Sequence, residues 1–292
     1  MTPPPRVSVI VPHYNDLKGL DICLRLLEQQ TFPRGDFEVI VADNASPQGP
    51  EAVERTIAGR ARMVVVSEKG AGPARNGGVA VARGEILAFV DSDCQAEPQW
   101  LAEGVAALAN YDFVGGSVSV LVEDPARITP IEAFERVFAF DMESYVRDKN
   151  FAGSGNLFCP RTVFDKVGGF RTGVSEDTDW SHRALAEGFR LGYCDAARVG
   201  HPARRTWAEL HAKWRRINAE SFGLFGHGAA GGVKWLARSL AMPLSAVAHT
   251  PKVFASDKLD QMSQRLAALS VLYRLRFWRM GDCLRLLLGA RA

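Results

Sequence analysis

The sequence of 292 residues predicts an α/β fold, with a mostly parallel central sheet flanked by helices and a C-terminal helical extension. Two observations carry this prediction. Apolar runs alternate with segments of helical periodicity through the first third of the chain, which is typical of parallel strands joined by crossover helices. Beyond His201 the chain becomes basic and aromatic, and its periodicity is helical. We therefore expect one domain over residues 1–205 and a helical extension over residues 206–292.

The predicted strands of the first third are short apolar runs, and the predicted helices carry apolar residues every three or four positions. Strands are expected at 7–11, 37–41, 63–66 and 86–90, and helices at 17–30, 50–59 and 73–82. Polar loops follow three of these strands, at 12–16, 43–46 and 91–94. Because ligands bind outside the carboxyl ends of parallel strands, these loops predict one common site.

The middle of the chain mixes strand and helix patterns. Helices are expected at 98–109, 130–147 and 177–188, a strand at 113–122, and a glycine-rich turn at 153–155 before a strand at 157–159. Acidic residues gather at the start of the last of these helices, at 176–179. Carboxylates at a helix start are favoured by unpaired N–H groups, so simple capping competes with a functional role for this cluster.

Composition places the chain among ordinary globular proteins, with 47% apolar and 23% charged residues. The net charge of +2 predicts no strong attraction to nucleic acid. Five cysteines without C-x-x-C spacing favour reduced thiols over a disulfide framework or a zinc site. The N-terminus lacks the apolar core of a secretion signal, and no run of about 18 apolar residues suggests a transmembrane helix. We therefore expect a cytoplasmic enzyme.

Asp91 and Asp93 are the most informative residues, because they follow directly after the apolar run at 86–90. In an extended chain, residues i and i+2 project to the same side, so both carboxylates can face one point. Such a pair is costly unless a cation lies between them, and a hard divalent cation shared with ligand phosphates is the usual solution. A polar turn that ends the strand is the competing interpretation.

Eight short motifs, taken in order over residues 6–205, make the chain resemble the family 2 glycosyltransferases. The motifs are VSVIVPHYN at 7–15, VIVADNAS at 39–46, GPARNGG at 72–78, DSD at 91–93, GSGN at 153–156, VGGF at 167–170, SED at 175–177 and HP at 201–202. Each motif is weak alone, but eight in the right order are specific. The resemblance implies a GT-A fold and metal-assisted, inverting transfer of a sugar from a nucleotide-diphosphate sugar, with uridine the expected base, to an acceptor hydroxyl.

The resemblance also implies where the nucleotide binds. The base would rest near Pro12 and Tyr14, and Asp43 would accept a hydrogen bond from a ring N–H. Arg75 would add a planar cation near the base or the phosphates, although a solvated helix charge is the commoner role of a lone arginine. The full implied set is Pro12, Tyr14, Asn15, Asp43, Asn44, Arg75 and Asp91. Relatives often carry two acids at positions 42–43, whereas Ala42 here leaves base recognition to Asp43 alone.

Asp91 and Asp93 match the D-x-D motif of the family, which implies a bound Mn²⁺ or Mg²⁺. Asp93 would contact the metal, and Asp91 would reach the ribose or a metal-bound water. The metal would neutralise the phosphates of the leaving group. His201 resembles a late histidine that completes the metal shell in many relatives, and a nitrogen ligand favours manganese. A purely structural role for this lone histidine is the alternative.

The resemblance assigns the reaction chemistry to the acidic cluster, with Asp177 as the general base and Glu176 as a sugar or acceptor contact. Donor-sugar or acceptor contacts are expected from Gly153, Ser154, Gly155, Asn156 and Trp180. Glycines permit a close backbone approach to the sugar, and a tight turn is the alternative. Trp180 would line the acceptor site or pack beneath its helix. The acceptor would be a glycan, a lipid-linked molecule or a small molecule.

The end of the chain, residues 264–292, holds six arginines and one acid among leucines and aromatic residues. This composition suggests peripheral contact of the C-terminal helices with an anionic membrane, at its inner face for a cytoplasmic protein. Contact of the extension at 206–292 with the acceptor is a further alternative. On a helical wheel the arginines fall on both halves. A buried helix pair whose arginines reach solvent, or a homodimer contact, therefore fits as well.

Other classes of protein compete with a glycosyltransferase. A sugar-1-phosphate nucleotidyltransferase or a dinucleotide dehydrogenase needs a glycine-rich loop after the first strand, where this chain has PHYN at 12–15. A non-catalytic module that binds a sugar nucleotide or a polysaccharide would keep the loops at 12–15 and 91–93. Such a module would not need Glu176 and Asp177.

Overall fold

The computed structural model describes residues 4–224 and 228–289, and the structural statements below refer to those residues. They form eight strands and twelve α-helices, with a short 3₁₀ helix at Arg34–Asp36. The strands are β1 Val7–His13, β2 Phe37–Asp43, β3 Arg62–Val65, β4 Ile86–Val90, β5 Gln95–Ala96, β6 Phe113–Leu121, β7 Asn156–Pro160 and β8 Leu191–Pro202. The helices are α1 Leu17–Glu28, α2 Pro50–Ile57, α3 Ala71–Val81, α4 Trp100–Ala107, α5 Pro130–Phe138, α6 Met142–Arg147, α7 Arg161–Val167, α8 Glu176–Ala186, α9 Trp207–Leu224, α10 Ala229–Leu240, α11 Met242–Ala255 and α12 Met262–Leu287.

The chain divides into two compact units. The first contains the residues up to Ser119 together with Phe140–His201, and the second contains Val120–Ala139 together with the residues from Pro202 onward. The second unit therefore includes residues 120–139, which the sequence pattern had placed with the first domain. Arg291, one of the six arginines of the C-terminal segment, lies outside the described residues.

The eight strands form one sheet in the order β3-β2-β1-β4-β7-β6-β8-β5. Strands β3, β2, β1 and β4 are parallel, and β1 pairs with β2 along its whole length, from Val7 with Phe37 to His13 with Asp43. The carboxyl ends of β1, β2 and β4 consequently meet at one edge. The polar loops that the sequence pattern had placed there lie at this edge.

Strands β1 and β2 form because their apolar residues are buried on both faces of the sheet. Alternate residues face opposite sides, so Val9 and Val11 join a core cluster with Leu20 of α1, while Ile10 joins a second cluster with Trp180 of α8. Helices on both faces therefore cover the parallel half of the sheet. This layering confirms the α/β prediction.

The other half of the sheet departs from the parallel pattern. Strand β7 is antiparallel to both β4 and β6, and β5 is antiparallel to β8. Apolar periodicity identifies these strands but carries no information about their direction. Their orientation became visible only in the structure.

The predicted helix at 130–147 is interrupted. Helix α5 ends at Phe138, α6 begins at Met142, and Phe140 between them has a left-handed backbone with φ of +55°. The two helices belong to different units, because Phe134 of α5 packs in the core of the second unit and Val146 of α6 in that of the first. The amphipathic pattern continues across the break, so it could not reveal the change of unit.

The second unit is helical. Helices α5, α9, α11 and α12 share a core cluster that includes Phe134, Leu210, Val253 and Leu272. Helix α12 is packed through one face, and among its arginines Arg279 is buried. This arrangement agrees with the alternative in which the segment at 264–292 forms a buried helix that packs against another helix. Among the described residues, none of the helices combines the length and apolar character that crossing a bilayer requires.

Candidate functional site

Strands β1 and β2 end side by side in a buried polar pair. Nδ1 of His13 lies 2.9 Å from Oδ1 of Asp43. Ser46 also binds this carboxylate, because its hydroxyl donates to Oδ1 at 2.5 Å and its N–H to Oδ2 at 3.1 Å. Asp43 is only 1% exposed. Asp43 therefore links the end of β1 to the loop that follows β2. The predicted contact of Asp43 with a nucleotide base stays a prediction.

The surface next to this pair carries an exposed aromatic ring. Tyr14 is exposed, and Nζ of Lys69 lies 4.9 Å from the centre of its ring. Lys69 is held there because it donates to the carbonyl oxygens of Asn44 and Ala45. The side chain of Asn44 is buried and binds the backbone of the segment that leads to α3. Sequence reasoning missed Lys69, which lies between the matched motifs.

Arg75 joins two of the predicted acidic residues. Its Nη2 donates to Oδ1 of Asp91 at 2.6 Å, and its Nη1 donates to Oε1 of Glu176 at 3.2 Å. The guanidinium is 3% exposed, and its Nε is buried without a hydrogen-bond partner in the described structure. Burial lowers the pKa of Arg75, but the two carboxylates together raise it above its ordinary value, so the group is a permanent cation.

Helix α3 and the loop after α7 hold Arg75 in place. Asn76 donates to the carbonyl oxygen of Phe170 and accepts from its N–H, at 2.8 and 2.9 Å. The Phe170 ring lies 5.8 Å from the Arg75 guanidinium. A Cβ on Gly169 would lie 2.8 Å from Asn76, so only glycine fits there without a shift. The motifs at 72–78 and 167–170 are thus packed against each other and joined by hydrogen bonds.

Asp91 begins a tight turn rather than an extended segment. The N–H of Cys94 donates to the carbonyl oxygen of Asp91 at 2.9 Å, and residues 91–94 lie outside strand β4. The expectation that Asp91 and Asp93 share one side of an extended chain is therefore wrong at this point. Gly155 lies against Asp91, since a Cβ there would lie 2.5 Å from Oδ2.

Asp93 lies beside His201 of β8. Oδ2 of Asp93 and Nε2 of His201 are 3.2 Å apart, and both side chains are partly exposed. The Phe140 ring packs on the imidazole with 4.6 Å between ring centres. Among the described residues, no group of three or more His, Cys, Asp or Glu side chains is arranged to hold a metal. This pair offers one carboxylate and one imidazole.

Asp177 lies in the first turn of α8, close to the Arg75 group. Its Oδ1 accepts hydrogen bonds from the Ser175 hydroxyl at 3.0 Å and the Thr178 N–H at 2.8 Å. Burial raises the pKa of Asp177, and the charge of Glu176 raises it further, while the two hydrogen bonds and Arg75 oppose the rise. The net result is a raised pKa, which makes Asp177 a stronger base than an ordinary aspartate.

Other predicted contact residues lie in the core. Asn156 is fully buried, accepts from Trp100 Nε1, and donates to the carbonyl oxygens of Ser117 and Ala197. Trp180 is also fully buried, and its indole N–H donates to Gly168. Their placement favours structural roles over contact with a sugar or an acceptor. Pro12 and Ser154 are buried as well, whereas Asn15 is exposed and Gly153 is half-buried.

The structure therefore forms two groups from motifs that are far apart in the sequence. Arg75, Asp91 and Glu176 form the first group with Asp177 beside them, and Asp93 with His201 forms the second. The short turn at 91–94 connects the two. Arg75 is committed to the two carboxylates of the first group, so the atoms offered to a charged ligand or a cation are those of Asp93 and His201. A carboxylate with raised basicity, Asp177, lies beside the first group.

Comparison with known proteins identifies relatives of this chain. Residues 8–173 match the family model described as Glycosyl transferase family 2. Glycosyltransferase AglE of Haloferax volcanii is 33% identical over 221 residues, which cover 73% of this chain and 72% of that protein. A validoxylamine A glucosyltransferase of Streptomyces hygroscopicus subsp. jinggangensis is 38% identical over 109 residues, 36% of this chain and 26% of that protein.

Two solved structures show the same fold at lower identity. Mannosyltransferase PcManGT from Pyrobaculum calidifontis, in complex with GDP-Man and Mn²⁺, has a TM-score of 0.57 and 22% identity, covering 97% of this chain and 86% of that chain. TarS 1-349 of S. aureus, in complex with UDP-GlcNAc, has a TM-score of 0.53 and 19% identity, covering 94% and 72%. Both are GT-A glycosyltransferases. The family match over more than half of the chain and the similarity to AglE show that this protein belongs to glycosyltransferase family 2.

Proposed function

We propose that this protein transfers a sugar from a UDP-linked donor to an acceptor hydroxyl by metal-assisted, inverting displacement. The observation that carries the proposal is the Arg75 bridge. One buried guanidinium contacts both the first acid of the DSD motif and the first acid of the SED motif. Asp177 lies close enough to affect the pKa of Arg75. This proximity supports a leaving-group site next to a base, which is the arrangement that a direct displacement requires.

Asp93 and His201 fit a divalent cation by their chemistry. A carboxylate oxygen and an imidazole nitrogen 3.2 Å apart are ligands that suit Mn²⁺, and Mg²⁺ to a lesser degree. Two protein ligands leave room in the coordination shell for phosphate oxygens. A cation bound there would supply Lewis-acid stabilisation of the departing diphosphate. The mannosyltransferase from Pyrobaculum calidifontis, whose fold is similar, was solved with Mn²⁺.

Asp177 is the proposed general base. In an inverting displacement the acceptor hydroxyl loses its proton as its oxygen attacks the anomeric carbon, and Asp177 would accept that proton. Its raised pKa increases its basicity, and the hydrogen bonds from Ser175 and Thr178 to Oδ1 fix the carboxylate, which leaves Oδ2 for the proton. Glu176 is bound to Arg75, so we assign it to positioning the guanidinium and contacting the sugar.

Tyr14 and Lys69 are the proposed contacts for the nucleotide. The exposed ring gives a base a surface for stacking, and the nearby ammonium group adds positive charge. Uridine is supported by the similarity to TarS, which was solved with UDP-GlcNAc, whereas the mannosyltransferase was solved with GDP-Man. Donor choice is therefore part of the test.

The proposal is tested by isothermal titration of UDP and GDP into the protein, with and without Mn²⁺. We expect UDP to bind only weakly without the metal and at least about tenfold more tightly with it, since a cation held by Asp93 and His201 would offset the negative charge of the diphosphate. Asp93→Ala should remove this gain, whereas Asp195→Ala, an exposed acid on β8, should preserve it. Equal affinity for UDP with and without metal would refute metal assistance, and a preference for GDP would refute uridine.

A non-catalytic sugar-nucleotide-binding module is the second candidate, because the exposed Tyr14 ring and Lys69 could hold a nucleotide without any general base. The substitution Asp177→Asn distinguishes the two. An enzyme should keep its donor affinity but lose transfer by about 10²–10⁴-fold, the usual contribution of a positioned base. Unchanged transfer in this variant would mean that Asp177 is not the base. Absence of any transfer in the wild-type protein, over a panel of UDP-sugars and acceptors, would favour the binding module.

A further inference from the structure

Helices α10 and α11 of the second unit carry a row of exposed apolar side chains. The residues are Val233, Leu236, Leu240, Leu244, Val247, Pro251 and Phe254, and we name them the apolar stripe. Apart from the proline, which is also exposed, they are 41–72% exposed. Scattered exposed leucines are ordinary on protein surfaces, but a row of seven on consecutive helices is not.

The stripe stays on the same side of the chain through both helices. Its residues are spaced by three or four positions, which places all seven within an arc of about 80° at 100° per residue. The residue between the two helices, Ala241, has a right-handed helical backbone, so the helical periodicity continues from α10 into α11. Its N–H donates to Ala237, and its carbonyl oxygen accepts from Ser245. The stripe therefore runs for about 32 Å along one side of the helical segment.

The core of the second unit does not need the stripe. Trp235, Met242, Ala246 and Val253 point to another side of the same helices and are buried in the core clusters. Helices α10 and α11 are thus already packed through one face and present a second apolar face to solvent. That second face offers apolar area to something outside the chain.

The charge around the stripe indicates the chemistry of that partner. No acidic residue occurs in the sequence between Glu220 and Asp257. Lys234, Arg238 and Lys252 fall together on one flank of the stripe, about 100–140° from Val233 on the same wheel. An apolar face on helices that themselves carry cations and no acids is typical of a helix that lies in the interface of an anionic bilayer. Two copies of such a face would bring like charges together, which disfavours self-association.

We propose that the apolar stripe of α10 and α11 docks this protein onto an anionic lipid surface. The stripe would enter the boundary between head groups and acyl chains, and Lys234, Arg238 and Lys252 would meet the lipid phosphates. This assignment narrows the sequence-based expectation of membrane contact through the C-terminal helices, because it rests on α10 and α11 and not on the arginine-rich segment at 264–292. It does not depend on the proposed transferase activity.

The test is co-sedimentation of the full chain with vesicles of phosphatidylglycerol and phosphatidylcholine, compared with vesicles of phosphatidylcholine alone. The wild-type protein should bind the anionic vesicles more tightly, and added salt should weaken this binding. Leu244→Ser with Val247→Ser should lower the association constant at least about tenfold, since two aliphatic side chains lose their burial in lipid. Lys234→Gln with Arg238→Gln should lower it about fivefold for each removed cation.

The matched control is Val65→Ser with Val81→Ser, which removes two exposed aliphatic side chains from the first unit and should leave lipid binding unchanged. Circular dichroism of each variant shows that its fold is retained, and light scattering gives its oligomeric state. Failure of the wild-type protein to bind anionic vesicles, or equal binding by the stripe variant, overturns the proposal. A wild-type dimer that the stripe variant dissociates, without lipid binding, would assign the stripe to a second copy instead.

Discussion

Arg75 determines how the acidic side chains of the candidate site are arranged. Its planar guanidinium reaches Asp91 and Glu176 with different nitrogens, and lysine could not hold two carboxylates in that fixed geometry. A buried cation also has to be paired, so the two acids and the arginine stabilise one another. The same cation lies close enough to Asp177 to oppose the rise in its pKa.

Gly155 leaves space for the Asp91 carboxylate and so allows its ion pair with Arg75. In Gly155→Ala the new Cβ would overlap Oδ2 of Asp91, so the carboxylate would have to move away from Arg75. We expect transfer to fall about tenfold to a hundredfold while the fold is retained, because small displacements in a site are costly to turnover. Steady-state kinetics would measure this. Gly35→Ala, at a position with open space around it, is the control and should not change the rate.

The pH dependence of transfer should report on Asp177. Only the deprotonated base accepts a proton, so the rate should fall as the pH drops through the pKa of Asp177, which lies above the ordinary 3.8. Ser175→Ala removes a hydrogen bond to the charged form and should move this acid limb to higher pH. Glu176→Gln removes a neighbouring negative charge and should move it to lower pH.

These opposite shifts would be measured from pH profiles of kcat/KM, with Ser270→Ala at an exposed position of α12 as the control. Shifts of the two variants in the same direction, or no shift in either, would show that another group titrates.

At the scale of single residues, the motifs indicated the acids and Arg75 but not their partners. His13 lies inside a matched motif, yet its pairing with Asp43 depends on the parallel register of β1 and β2, which a sequence pattern does not specify. Asn156 was expected at the sugar because of its motif. Its three hydrogen bonds join it to residues 39 to 56 positions away, and a sequence pattern does not show contacts over that separation.

Helix α3 and the loop after α7 are coupled by Asn76, whose amide makes two hydrogen bonds to the backbone of Phe170. Asn76→Ala would leave both backbone groups without these partners. We expect a loss of about 1–3 kcal/mol in the free energy of unfolding, measured by urea denaturation. Asn110→Ala, at an exposed position after α4, should cost less than about 0.5 kcal/mol. Equal losses in the two variants would contradict the structural role of Asn76.

Helix α5 is tied to the rest of the second unit by Glu135. This buried carboxylate accepts from the Arg204 backbone and guanidinium and from Lys213. Burial raises the pKa of Glu135, but Lys213, Arg204 and the hydrogen bonds together hold it below the ordinary 4.5. The stabilisation is therefore fully present above pH 4.5 and is lost as the pH falls through the lowered pKa.

Glu135→Gln should lower the free energy of unfolding by about 3 kcal/mol at neutral pH, because it leaves two cations beside a neutral group. The difference from the wild-type protein should shrink in acid, where the wild-type carboxylate is also protonated. Urea denaturation at both pH values measures this, with Glu28→Gln at an exposed position of α1 as the control. A difference that does not change with pH would mean that the charge of Glu135 is not what stabilises the unit.

At the scale of elements, apolar periodicity predicted most strands and helices of the first unit. It failed at Phe140, where the amphipathic pattern of 130–147 runs on although the chain passes from one unit to the other. Apolar periodicity also did not predict that β7 runs antiparallel to β4. A strand buried on both faces has the same apolar pattern in either direction.

For the whole molecule, the order of the motifs predicted the family and the GT-A fold, and the comparisons confirm both. The division into two units was harder to predict from the sequence, because residues 120–139 pack with helices that follow more than sixty positions later. The apolar stripe was also missed. Its spacing in the sequence resembles that of any core-facing helix, and only the exposure of those side chains in the structure distinguishes it.

A crystal structure with UDP and Mn²⁺ would test the whole account, with anomalous scattering used to locate the metal. We predict manganese between Asp93 and His201, the diphosphate at the carboxyl ends of β1, β2 and β4, and Asp177 facing the side where the sugar would attach. Crystals saturated with both ligands but lacking density at this edge, or UDP bound elsewhere on the chain, would contradict it.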